Sequence, residues 1–87
     1  MVSREVIVSN QVGLHSKTAM VFTQKASEYA SAIWVEHNEV KANAKSLLNV
    51  LSLGVFKGMS IKVFAEGPDE NEALEGICSL VMGAAVE

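Results

Sequence analysis

The sequence predicts an α+β fold, a two-layer sandwich in which a four-stranded, mainly antiparallel sheet carries two long helices on one face, with a third, short helix between strands. Three observations predict it. The apolar period switches repeatedly between two residues and three-to-four, giving the order β-α-β-β-α-β-α. Turn signals, among them Asn38-Glu39, Gly54 and Gly67-Pro68, fall between the periodic segments. The two long helical stretches are apolar along one stripe only, so each must be covered on that side by a sheet.

The first strand is expected over Val2 to Ser9, where Val2, Val6 and Val8 share one side and β-branched residues are frequent. Asn10 to Gly13 reads as a turn. From Ser16 a helix places Ala19, Phe22, Ala26 and Tyr29 on one face. Ala32 to His37 is β-branched and aromatic, hence a strand, and Asn38-Glu39 turns it into a short strand, Val40 to Asn43. Leu47, Val50, Leu51 and Leu53 form a short helix that Gly54 ends. In Ser60 to Glu66, Ile61, Val63 and Ala65 alternate with polar or outward positions, the pattern of a fourth strand. Asp69, with Glu72 three residues on, resembles a capping box at the head of a last helix whose stripe is Ala73, Leu74, Ile77, Leu80 and Val81.

One domain over residues 1–87 is expected, since a chain of 87 residues buries only ~60–65% of its unfolded surface and supports one core. The net charge of −3 gives no support for a nucleic-acid partner. No apolar run approaches the ~18 residues of a membrane span, and the first ten residues do not read as a signal peptide. Cys78 is the single cysteine. It has no partner for a disulfide or a zinc site and lies among Ile77, Leu80 and Val81, so a buried thiol is expected, and a reducing cytoplasm fits. No metal or cofactor is expected.

Chemistry is concentrated in Gly13-Leu14-His15-Ser16-Lys17-Thr18-Ala19, where a turn feeds a helix with a histidine at the junction. The first helical turn has backbone N–H groups without intrahelical partners and a partial positive charge. Both disfavour an imidazolium and favour a bound anion. A neutral, nucleophilic His15 ring would therefore predominate near pH 7, and a phosphoryl group carried on it would meet the same N–H groups, Lys17, and the hydroxyls of Ser16 and Thr18. By spacing alone, a solvated histidine or a passive anion site fits equally. His37, which follows a strand, reads as an ordinary surface residue.

The segment G-L-H-S-K-T-A resembles the active-site signature G-L-H-A-R-P-A of the HPr family, the histidine-containing phosphocarriers of the bacterial phosphoenolpyruvate:sugar phosphotransferase system. Asn43 to Gly54 (NAKSLLNVLSLG) resembles the family's regulatory-serine segment, and Ala65 to Ala73 (AEGPDENEA) its A-x-G-x-D-E-x-x-A lead into the last helix. The three occur in the family's order and spacing across nearly the whole chain. The resemblance implies an open-faced β-sandwich and a phosphohistidine at Nδ1 of His15. It also implies enzyme I as donor, IIA domains of sugar permeases as acceptors, and a carrier, not an enzyme, working in the cytoplasm as a monomer. Lys17 and Thr18 stand where the family has arginine and proline. Lysine meets phosphate as a point charge where arginine offers a fork, and threonine does not preset the first helical turn. A slower carrier, a different partner set or a regulatory paralogue all fit those departures. The presence of His15 argues against the catabolite-repression paralogue with glutamine there.

Ser46 precedes the short helix and is expected to be its N-cap, a role worth ~1 kcal/mol. The resemblance adds phosphorylation of this serine by an HPr kinase/phosphorylase. It also implies docking through Ser16, Lys17, Met20, Leu47, Leu48 and Leu51. Val50 and Leu53 suffice for the core, which leaves Leu47, Leu48 and Leu51 either as a partly exposed interface or packed inward. Gln24, Ser27 and Asn49 stand where relatives often carry lysines, so steering of acidic partners should be weak. The alternative function is a regulatory module in carbon catabolite control that contacts catabolite control protein A through the Ser46 face, with little phosphotransfer.

Overall fold

The structure, a computed structural model, describes residues 1–9 and 16–82. The elements run β1 (Val2–Ile7), α1 (Ser16–Ala26), β2 (Ala32–His37), β3 (Val40–Asn43), α2 (Leu47–Ser52), β4 (Ser60–Glu66) and α3 (Glu70–Val81). The strands form one antiparallel sheet in the order β1-β4-β2-β3. The helices cover one face. α3 packs on β1 and β4, α1 lies against both α2 and α3, and α2 reaches β3. The expected fold class and element order are those observed.

The core is the sum of the predicted stripes. Val6 and Val8 meet Ala19, Phe22 and Ala26 of α1, the inward residues Ile33, Val35, Ile61, Val63 and Ala65 of the sheet, and Ala73, Leu74, Ile77, Leu80 and Val81 of α3. Cys78 is also in this core, and burial pushes its thiol pKa up.

Two boundaries and one cap differ from the sequence expectation, each for a long-range or end-effect reason. β1 stops at Ile7 because its partner chain turns. The Val8 N–H still donates to Met59 O at 2.9 Å and its carbonyl accepts from Gly58 N at 2.8 Å, but these bonds go to a loop. α1 ends at Ala26, where the bonds tighten: Glu28 N donates to Lys25 O and Tyr29 N to Ala26 O. Tyr29, outside the helix, still packs on the core. Asp69 occupies the N-cap position of α3 but makes no side-chain capping bond. Its carboxylate instead accepts from the N–H groups of Ala30 and Ser31, both at 2.9 Å, and from the Ser31 hydroxyl. The Ser31 hydroxyl, followed by the Ala30 N–H, holds the Asp69 carboxyl below its usual range.

The β2–β3 connection is a two-residue turn in which Asn38 and Glu39 both take positive φ, 52° and 66°. That is the turn geometry whose twist matches the flanking strands. Gly54, at φ 63°, ends α2 in the left-handed conformation, with its N–H donating to Leu51 O.

Candidate functional site

α1 begins at Ser16, the residue after His15 in the sequence. His15 and the side chain of Ser16 lie outside the described residues, as does the expected turn over 10–13. The first turn of α1 contains no acidic residue, and Lys17 is exposed on it. The first turn of this helix therefore carries an exposed cation and no carboxylate, at the end where a helix has its partial positive charge. Thr18 is buried on the inner side of the helix, one of three buried polar residues among the described residues, with Thr23 and Ser31.

The other expected site is the start of α2. Ser46 caps α2: its backbone is extended, with φ −108° and ψ 115°, and its hydroxyl accepts from Asn49 N at 3.4 Å. The Ser46 carbonyl takes the first helical bond, from Val50 N at 3.0 Å. Ser52 sits at the other end of α2 and donates its hydroxyl to Asn49 O at 2.7 Å, a carbonyl-rich end that repels phosphate.

The leucines of α2 divide as the core requires. Val50 is fully buried and Leu53 nearly so, whereas Leu48 is 78% exposed and Leu47 37%. Leu51 is partly buried and packs against the core. On α1, Met20 is 49% exposed. A groove of about 340 Å³ between α1 and α3 is lined by Val21, Gln24 and Lys25 of α1 and by Gly76, Ser79 and Leu80 of α3. Met20 on α1 and Leu47 and Leu48 on α2 are thus exposed apolar residues on two helices that lie against each other. Gln24, Ser27 and Asn49 are exposed and uncharged, as expected.

One tie was not legible in the sequence. The Lys45 ammonium donates to the carbonyl of Tyr29 at 2.8 Å, while its own N–H is held by Asn43 Oδ1 at 2.9 Å. The loop before α2 is thereby fixed to the turn after α1. An isolated lysine beside a serine gives no signal for this, since the acceptor is a main-chain oxygen 16 residues away.

An open antiparallel sheet with three helices on one face, a helix opening directly after a histidine, and a serine-capped short helix beside it define the class of small phosphocarrier domains. The family model for the PTS HPr component phosphorylation site matches residues 2–82. Phosphocarrier protein HPr of Neisseria meningitidis is 34% identical over 83 residues, covering 95% of this chain and 93% of that protein. HPr-like protein Crh of Halalkalibacterium halodurans is 36% identical over 81 residues, covering 93% and 96%. A crystal structure of HPr from Thermoanaerobacter tengcongensis superposes with a TM-score of 0.90 at 42% identity, covering 93% of this chain and 91% of that one. The chain belongs to the HPr family of phosphocarrier proteins of the phosphotransferase system.

Proposed function

We propose that this protein is a phosphoryl carrier: His15 accepts a phosphoryl group from phosphoenolpyruvate-charged enzyme I and passes it to IIA domains of sugar permeases. The observation that carries this reading is the start of α1 at Ser16, directly after His15, with Lys17 exposed and no acid in the first turn. A helix end of this kind opposes protonation of the adjacent ring before transfer and stabilises the phosphoryl dianion after it. Lys17 supplies the side-chain charge, with Ser16 as a further phosphate-site residue and Thr18, whose side chain is buried, contributing through its backbone N–H. Because the protein is a regenerated intermediate, it is a substrate of enzymes and not itself an enzyme. No helix among the described residues is long and apolar enough to cross a membrane, in keeping with a carrier working in the cytoplasm.

Met20, Leu47, Leu48 and Leu51 form the docking surface for enzyme I and the IIA domains. An apolar centre beside a reactive residue suits a transient interface. Ser46, as N-cap, is the site at which an HPr kinase/phosphorylase would act, because phosphate is tolerated at a helix start. Ser52, at the opposite pole, is not.

The test is incubation with enzyme I and labelled phosphoenolpyruvate. Acid-labile, base-stable label is expected on the unaltered protein and on His37→Ala, and none on His15→Ala. Label on His15→Ala equal to wild type would remove the assignment. Lys17→Ala should slow transfer, and Lys17→Arg should speed it by roughly threefold to thirtyfold, equivalent to ~0.7–2 kcal/mol, because the guanidinium offers phosphate a two-pronged contact.

A second reading is favoured by the 36% identity to Crh, which lies between the 34% and 42% found to two HPr proteins. In it the chain is a regulatory module of carbon catabolite control, contacting catabolite control protein A through the Ser46 face with little phosphotransfer. Unimpaired transfer by Lys17→Ala, or none by the unaltered chain, would move this reading ahead.

A further inference from the structure

The face of the sheet away from the helices is not covered by any described element, and the strand register orders its charges. Pairing sets Glu5 beside Lys62, Lys62 beside Glu36, and Glu36 beside Lys41. One row across the sheet, from β1 to β3, therefore alternates acid, base, acid, base. The neighbouring row reads Ser3, Phe64, Trp34, Asn43 and holds two half-buried rings. None of the charged neighbours in the first row closes into an ion pair within the chain. The lysines lie over the rings instead: the Lys41 ammonium is 4.3 Å from the Phe64 ring centre and 5.8 Å from that of Trp34, and Lys62 is 5.3 Å from Phe64. Among the described residues, the Glu5 carboxylate accepts from the Ser60 hydroxyl alone, at 3.1 Å.

We propose that this open face pairs with the same face of a second copy of the chain, about a two-fold axis parallel to the strands. That rotation reverses the row. Glu5 then opposes Lys41 of the second copy, Lys62 opposes Glu36, and each relation recurs once by symmetry. In the next row Phe64 meets Trp34 of the other copy, an aromatic contact that replaces the lysine cover. An axis running across the strands would instead set every charge on its like. The alternation is thus its own complement in one orientation only, which selects a second copy over a partner of unrelated sequence.

The footprint is four strands about 4.8 Å apart and about 20 Å long, roughly 400 Å² per copy. Two such faces bury less than the ~1,000 Å² of a stable complex, so the dimer is weak and forms at high protein concentration. The helices lie on the other side of the sheet, so both copies keep Met20, Leu47 and Leu48 open. The inference does not depend on the carrier reading.

The test combines sedimentation equilibrium with carbodiimide cross-linking of a mixture of light and nitrogen-15-labelled chains. Glu5 and Lys41 stand on opposite edge strands, about 14 Å apart in one sheet, beyond the reach of a zero-length amide. The expected result is concentration-dependent dimer and a Glu5–Lys41 linkage joining light to heavy chains. Lys62→Glu should weaken association by roughly tenfold or more. The double exchange Glu36→Lys with Lys62→Glu should restore it, because the new row again complements its own reverse. A monomer up to millimolar concentration, linkages only elsewhere (as an exchanged strand would give), or undiminished association of Lys62→Glu would each overturn the proposal. If Lys62→Glu does not fold, the linkage on the unaltered chain decides.

Discussion

Leu48 and Val50 sit two residues apart on α2, and the structure assigns them opposite work. Leu48 is 78% exposed, while Val50 is fully buried. Fully burying a leucine is worth about 1.5–3 kcal/mol. A partner that covers the exposed 78% of Leu48 therefore gains about 1.2–2.3 kcal/mol from it, so Leu48→Ala should weaken binding of enzyme I or a IIA domain by roughly 8- to 50-fold. Its effect on folding should stay within about 0.5 kcal/mol, as for other surface changes. Val50→Ala removes two buried carbons and leaves a cavity, costing about 1.5–3 kcal/mol. In a domain of this size that lowers the melting temperature by on the order of 10 °C. The assay pairs thermal melting with titration calorimetry against the partner, at one salt concentration, on both variants. If Leu48→Ala lowers the melting temperature as much as Val50→Ala and leaves affinity unchanged, Leu48 is a packing residue and the docking face is wrongly placed.

Gly76→Ala would set a methyl 2.0 Å from the Tyr29 hydroxyl and 3.3 Å from Lys25 Cε, so the ring must move. Despite the ~1 kcal/mol that alanine normally adds to a helix interior, the variant should melt below wild type, and the sign should reverse in a Tyr29→Ala background. A rise in melting temperature on the wild-type background would contradict this. Glu39 holds φ 66° in the hairpin turn, so Glu39→Gly should stabilise the fold by up to about 1 kcal/mol, visible as a higher denaturant midpoint; a lower midpoint would show that the side chain makes compensating contacts. Asp69 is depressed by the Ser31 hydroxyl and the Ala30 N–H, so its contribution is present above its unfolded value near ~3.9 and is lost as pH falls through the lower folded value. Melting temperature should fall through that range, and Asp69→Asn should flatten the decline; an unchanged slope would show that other carboxylates govern acid unfolding.

The sequence by itself determined the seven elements and the core, because each is written in a local period. Ala19, Phe22 and Ala26 recur at helical steps, Ile61, Val63 and Ala65 at strand steps, and all are buried. It also singled out His15 and Ser46, since a histidine or serine ahead of a helical pattern is a local signal, and for His15 the sequence remains the source of the assignment. What only the tertiary structure decided depends on residues far apart in the chain. The Asp69 carboxylate looks like a cap in sequence, yet it is spent 38 and 39 residues away on Ser31 and Ala30. Lys45 reaches a carbonyl on the turn after α1. Among the three leucines that the sequence left open, the packing of Leu51 on the core and the exposure of Leu47 and Leu48 follow from where α2 lies against α1 and β3. The alternating charge row exists only once β4 is inserted between β1 and β2, because residues 5, 62, 36 and 41 become neighbours through sheet register and through nothing in their local sequence.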